Sequence, residues 1–427
     1  MKAGVAEIDI TPPVGTDMTG FIAREGSSIG VLDPLFARAL ILDDGATQAA
    51  IITCDLLGLH LSFVNEVRST IAATTGIPAA HILVTCSHTH AGPATLFLQD
   101  CGVIDAAYMA RLHHALVEVT QTAFDARRSA TLTVGHGNVT ANVHNRRTPG
   151  DVIDPDLAIL HISDEQGTPF AILLNYACHP TCLQAENRLF SAEYPGIAVR
   201  KVAAATKAIT LFVTGAIGDV GPVTRGMETM QSLGEAIGDE ALRLLGEEIK
   251  NHKKDEIHEK LVVGREELSL PLLSSPSLEW WEAEAKRWQE MQVAPDVPLL
   301  PSHPRIPIAM RNWSSRMRDL TQQGTIPSNV NTEVQVIRLG EIAFISAPGE
   351  LFVELGLAIK SAAPIPHIFL CGFGNDDVGY IPTRWAYPKG GYEIAEAYKY
   401  YGYPTALAPE AGEQVVATVA RIFKGQV

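Results

Sequence analysis

Apolar residues along this chain follow two rhythms. Short solid runs bounded by Gly, Pro, Asn or Asp read as buried strands, and longer stretches with apolar residues at helical spacing read as amphipathic helices. Residues 39–43 and 48–54 read as a hairpin over Asp44-Gly45. Residues 62–75 read as a helix ended by Gly76-Ile77-Pro78, and 82–86 as a strand. A long helix follows over 105–127, then strands over 130–136, 157–163, 170–174 and 208–214, then a second long helix over 227–250. Strands alternating with helices predict an α/β fold, a layered mixed β-sheet with flanking helices.

The rhythm changes over 251–330. Residues 251–256 are a charge run, expected to be a solvated helix end or turn. Residues 277–291 read as a helix carrying Trp280, Trp281 and Trp288, either packed on its own core or lying as a lid over an apolar cleft. Residues 295–307 are proline-rich and predict an extended linker before a helix over 309–322. This stretch reads as a cap or helical insertion within one domain spanning 1–427. After it the α/β grammar returns, with strands over 333–339, 342–346 and 367–371 and helices over 351–362 and 412–423. No internal sequence repeat and no low-complexity tract interrupts the pattern.

Bulk composition narrows the function. With 427 residues, 46% of them hydrophobic, a large core is within reach. A net charge of −15 argues against nucleic acid and anionic membrane surfaces as partners. The start of the chain lacks the apolar segment of a signal peptide, and no run approaches the roughly 20 apolar residues that span a bilayer. The expectation is a cytoplasmic protein with no transmembrane segment. The six cysteines sit mostly in apolar runs, as buried free thiols do.

Chemistry concentrates at predicted strand ends. Ser87-His88-Thr89-His90-Ala91-Gly92-Pro93 follows the strand over 82–86, and two imidazoles beside a flexible turn are a common way to hold zinc in a cleft. His179 follows the strand over 170–174 in the same manner. Glu350 comes after the strand over 342–346 in Pro348-Gly349-Glu350, and Tyr380 closes Asn375-Asp376-Asp377-Val378-Gly379-Tyr380. A carboxylate and a phenol beside two imidazoles complete a nitrogen and oxygen shell for a divalent ion. Glu350 reads equally as a first-turn carboxylate stabilised by a helix dipole, and Tyr380 as a core residue. The glycine-rich loop 215–222 lets backbone approach a ligand, although no Gly-Lys-Ser/Thr follows to make it a phosphate loop. Arg146, in Asn145-Arg146-Arg147, offers a guanidinium for a carbonyl or carboxylate.

Taken in order, these pieces resemble the neutral/alkaline ceramidase family, specifically its N-terminal zinc hydrolase domain. Asp9-Ile10-Thr11-Pro12-Pro13-Val14-Gly15 and Asp33-Pro34-Leu35-Phe36-Ala37-Arg38 resemble its opening segments. His88-Thr89-His90-Ala91-Gly92-Pro93 resembles its His-Thr-His-Ser-Gly-Pro signature, and Gly218-Asp219-Val220-Gly221-Pro222 its Gly-Asp-Val-Ser-Pro loop. Asn145-Arg146, Pro348-Gly349-Glu350 and the stretch from Tyr380 to Tyr392-Glu393 resemble later motifs.

The resemblance implies one zinc ion held by His88, His179, Glu350 and Tyr380. It implies His90 as an unligated proton carrier, Arg146 at the substrate's oxyanion, and Asp219, Gly221 and Tyr392 at the substrate. The implied activity is hydrolysis of an amide by a metal-activated water, with an esterase or lactonase on the same site as the alternative. Gly221 replaces the family's Ser, the sequence closes at 427 without an immunoglobulin-like C-terminal domain, and a secretion signal is missing. The expected substrate is therefore a small-molecule N-acyl amide, smaller than ceramide.

Overall fold

The computed structural model describes residues 1–148, 150–251, 260–293 and 303–425. Within them, one wiring of four strands occurs three times. The first unit uses Lys2–Asp9, Phe36–Asp43, Gln48–Cys54 and Ile82–Cys86. The second uses Thr131–Asn138, Asp156–Ser163, Pro169–Tyr176 and Ile209–Thr214. The third uses Leu261–Pro271, Asn329–Leu339, Ile342–Ala347 and His367–Gly372. In every unit the first three strands pair antiparallel in chain order, and the fourth pairs parallel to the third.

Backbone geometry explains the connections. Antiparallel neighbours accept a tight turn, such as Asp44-Gly45 with Gly45 at φ 93°. Parallel neighbours need a crossover, supplied by the helices Leu61–Thr75, Glu193–Thr206 and Val353–Ala362. Each unit then closes on a second helix, Ala106–Asp125, Met227–Asn251 or Ala411–Gly425, that lies on its first two strands. The Asp105 carboxylate starts the first of these by accepting from the amides of Ala107 and Tyr108 at 2.8 and 3.1 Å. The repeat is one of topology alone, since the residue sequence carries none.

The three sheets share a core. Leu40, Leu83, Leu160, Leu211, Phe344 and Phe369, two from each unit, are fully buried in one cluster. The three fourth strands touch one another there. Full burial of each such side chain stabilises the fold by about 1.5–3 kcal/mol. The loops that leave the third and fourth strands therefore open at one place.

Most predicted elements hold to within a few residues, and the exceptions bear on the site. The helix expected over 351–362 begins at Val353, because Glu350–Leu351 forms a short parallel bridge with Tyr380–Ile381. Glu350 is thus a strand residue beside Tyr380, not a first-turn helix carboxylate. The helix expected from 309 starts at Arg305 and takes Pro307 into its first turn, where a missing N–H costs nothing. Residues 252–256 of the charge run and 295–302 of the expected linker lie outside the described residues. Strands Lys2–Asp9 and Leu261–Pro271 add to the predicted set, and the latter pairs along its whole length with Asn329–Leu339. Of the stretch 251–330, the part outside the sheets is the long connection after Leu261–Pro271, with helices Leu278–Val293 and Arg305–Gln322. The other two units also carry long connections between their first two strands, over 10–35 and 139–155. Among the described residues, no helix is long and apolar enough to cross a membrane.

Candidate metal centre

His88 stands two residues past the strand Ile82–Cys86 at φ 65°, a left-handed conformation that is uncommon for a non-glycine residue. The amide of His88 donates to the Leu56 carbonyl at 2.8 Å, and its ring stacks on Phe373 at 3.9 Å. His179 is fixed by its amide, which donates to the Val220 carbonyl at 3.1 Å. His90 is held from outside: the Arg24 guanidinium donates to its carbonyl at 2.6 Å, and Gly20 packs against its ring.

The three rings are anchored in the same way. Nδ1 lies 2.8 Å from the Leu57 carbonyl in His88, 3.0 Å from that of Gly20 in His90, and 3.3 Å from that of Ile217 in His179. A carbonyl only accepts, so each Nδ1 carries the proton and each Nε2 offers a lone pair. These ligand atoms lie within 4.8 Å of one another, with Nε2 of His90 and His179 3.2 Å apart. The Glu350 carboxylate completes the cluster. Its Oε1 accepts from the Tyr401 hydroxyl at 2.8 Å, while Oε2 lies 3.7 Å from Nε2 of His88 and 3.6 Å from Nε2 of His179. His88 Nε2 and Glu350 Oε2 are buried without a hydrogen-bond partner. Each such atom costs about 1–3 kcal/mol, and a cation among them would remove that cost. The donor set suits a metal ion.

Burial sets the protonation of the cluster. It pulls His88 down to about 3 and takes His90 and His179 well below the usual imidazole range. All three are neutral and ready to ligate at pH 7. Burial pushes Glu350 up to about 7, against the pull of the Arg146 guanidinium. It also raises the Tyr380 phenol, again against Arg146.

Backbone packing places the oxygen side. Glu350 and Tyr380 are register partners, and the Glu350 amide donates to the Gly379 carbonyl at 2.9 Å. Gly349, at φ 136°, allows this approach, since a Cβ there would lie 2.5 Å from that carbonyl. One guanidinium nitrogen of Arg146 donates to the Tyr380 hydroxyl at 2.6 Å and to the Gly218 carbonyl at 2.7 Å. The Arg146 Nε lies 3.4 Å from Glu393 Oε1.

Four residues expected at the substrate are placed as follows. Arg146 does not line the cavity; it holds Tyr380. Asp219 is a backbone anchor, with Oδ1 accepting from the Val353 amide at 2.8 Å and Oδ2 from Asn145 Nδ2 at 3.0 Å. Gly221 pairs with His144, beside His179 and outside the cavity wall. Tyr392, half-exposed, does line the cavity.

His88, His90, Glu350 and Tyr380 line a cavity of about 760 Å³. Its other walls are largely apolar, with Ile22, Leu57 and Leu98 from the first unit and Trp288, Met291 and Met310 from the helices Leu278–Val293 and Arg305–Gln322. The tryptophans divide: Trp281 is buried against Trp313 at 5.1 Å, Trp288 faces the cavity and Trp280 is exposed. The helix thus has a core of its own and also walls the site. Tyr401, Gly20 and Arg24 were not among the predicted site residues. The run Tyr398-Lys399-Tyr400-Tyr401-Gly402-Tyr403 is the sequence signal that points to the first.

Fold and centre together define a mixed α/β protein with a buried three-histidine cluster, able to hold a metal ion, opening on an apolar cavity. The chain belongs to the neutral/alkaline non-lysosomal ceramidase family, whose N-terminal model matches residues 1–237. The resemblance read from the motifs is borne out, and membership implies a hydrolase acting on amide bonds. The matched stretch holds His88, His90, Arg146 and His179, while Glu350 and Tyr380 lie beyond it. Two solved structures share the fold over 100% of this chain at 16% identity. One is a ceramidase complexed with C2, 75% of it covered, with a TM-score of 0.76. The other is the neutral ceramidase from Pseudomonas aeruginosa, 74% of it covered, with a TM-score of 0.75.

Proposed function

We propose that this protein is a zinc-dependent amidohydrolase that cleaves an N-acyl amide smaller than ceramide. The observation that carries this is the pair of unpartnered buried atoms, His88 Nε2 and Glu350 Oε2, aimed with His179 at one point on the cavity floor. His88, His179, Glu350 and Tyr380 would hold the ion. Zinc bound there supplies a water acidified toward neutral pH and a Lewis-acidic contact for the carbonyl oxygen. His90 keeps its Nε2 free of a proton by donating Nδ1–H to Gly20, so Nε2 accepts a proton from the attacking water and returns it to the leaving amine. Arg146 orients the Tyr380 hydroxyl. Ile22, Leu57, Leu98 and Met310 shield the acyl chain from water, and Tyr392 borders it. The six buried free cysteines support a reducing, cytoplasmic setting.

The test uses zinc-reconstituted protein and N-acyl amides of graded chain length, each matched by an ester of the same acyl group. Amide turnover that depends on bound zinc is expected. Turnover of the esters alone would replace the amidase with an esterase, and turnover independent of zinc would remove the metal role.

A further inference from the structure

Two histidines from different units face each other away from the cavity. His136 lies on Thr131–Asn138, and His367 opens the strand His367–Gly372. Nε2 of His136 is 3.0 Å from Nδ1 of His367, and the rings meet edge to edge, tilted by 20° with centroids 5.3 Å apart. The other nitrogen of His136 lies 2.9 Å from Asp156 Oδ1. That nitrogen carries the proton, so Nε2 of His136 turns a lone pair toward His367. A carboxylate behind an imidazole is the arrangement that orients histidine ligands in metal sites. Amide hydrolysis makes no use of it, because the reactive loop leaves the opposite end of the strand that His367 begins.

We propose that His136 and His367 form a second metal site, for a borderline divalent cation such as zinc, that ties the second unit to the third. Two imidazole nitrogens bound at 2.0–2.1 Å to one tetrahedral ion lie about 3.4 Å apart. The observed pair need open by a few tenths of an ångström, and each ring must turn by about 35° for the two lone pairs to converge on a tetrahedral ion. His367 gives up its Nδ1 proton to solvent as the ion binds, and Asp156 keeps His136 in the ligating tautomer. The local charge favours a cation. Lys360 is the ammonium nearby, 2.8 Å from Asp154 and 3.0 Å from Asp156, so two carboxylates face one positive group. The Glu341 carboxylate adds negative potential at His367. His136 is exposed, which leaves water free to complete the coordination shell.

The full chain would be dialysed against Zn²⁺ and its metal content measured. Wild type should hold two equivalents, the double variant H136A/H367A one, and H88A/H179A one. Asp156→Asn should weaken the second site about 10–100-fold while leaving the fold intact by circular dichroism. Zinc should raise the unfolding temperature of H88A/H179A and leave that of H88A/H179A/H136A/H367A unchanged. Two equivalents retained by H136A/H367A would overturn the proposal, as would a single wild-type equivalent lost in H88A/H179A. A single equivalent lost in H136A/H367A instead would uphold this site and remove the catalytic one.

Discussion

The first two units and the third have the same strand order and deliver different atoms to the centre. The first two send imidazoles on loops held by backbone hydrogen bonds: His88 to Leu56, His179 to Val220. The third sends oxygen, Glu350 and Tyr380, on paired backbone, with Tyr401 reaching in behind them. The third unit also carries the longest connection between its first two strands, and that connection walls the cavity with Trp288 and Met310. One scaffold repeated three times thus separates tasks, because strand-end loops can change residue type without disturbing the sheet that aims them.

Removing the nitrogen side should break the centre outright. His88→Ala or His179→Ala should lose one of two bound zinc equivalents together with amide hydrolysis, measured by elemental analysis and product release. Both equivalents retained in either variant would show that the nitrogen side is not what binds. His90→Ala sharpens the division within that side. It should keep the metal and lower kcat by about 10²–10⁴-fold; loss of the metal would make His90 a third nitrogen ligand.

On the oxygen side the effects should be graded. Gly349→Ala puts a Cβ 2.5 Å from the Gly379 carbonyl at φ 136°, and should destabilise the fold by roughly 1–3 kcal/mol while displacing Glu350. Thermal unfolding and activity should fall together, and an unchanged melting temperature would refute the close packing. Tyr401→Phe frees Oε1 of Glu350 and should weaken metal binding roughly 10–100-fold. The smallest effect separates the two donor types by pH. His88, held near 3, stays neutral and contributes no pH dependence above pH 5. Glu350, raised to about 7, is protonated below that pH, so the metal must displace its proton. Apparent affinity should therefore fall by up to about tenfold per pH unit below pH 7 and level off above it. A flat profile from pH 5.5 to 8 would exclude Glu350 as a ligand.

The chain announces its helices and inner strands because their apolar residues keep a regular period. Lys2–Asp9 escaped because Ala3, Gly4 and Ala6 give it little bulk, although it pairs along its whole length with Phe36–Asp43. Leu261–Pro271 escaped because Arg265, Glu266 and Glu267 fall in a row, as an edge strand with one wet face allows. The convergence of His88, His179, Glu350 and Tyr380 was legible only through motif resemblance, since no local pattern states which loops meet across three sheets. Arg146 illustrates the remaining gap. Its residue type suited an oxyanion, and only the position of the Tyr380 hydroxyl assigns that guanidinium to a protein partner.

Each unit keeps its long connection between the first and second strands, away from the helix crossover that leads to the metal-facing loops. The connection over 272–328, which walls the cavity, is therefore an exchangeable part, whereas the one over 10–35 fixes His90 through Gly20 and Arg24 and must stay. A lineage, or an experimenter, could graft a different 272–328 segment and change which acyl chains are admitted while the hydrolytic chemistry stays in place. Substrate range and bond cleavage would then evolve on separate stretches of chain.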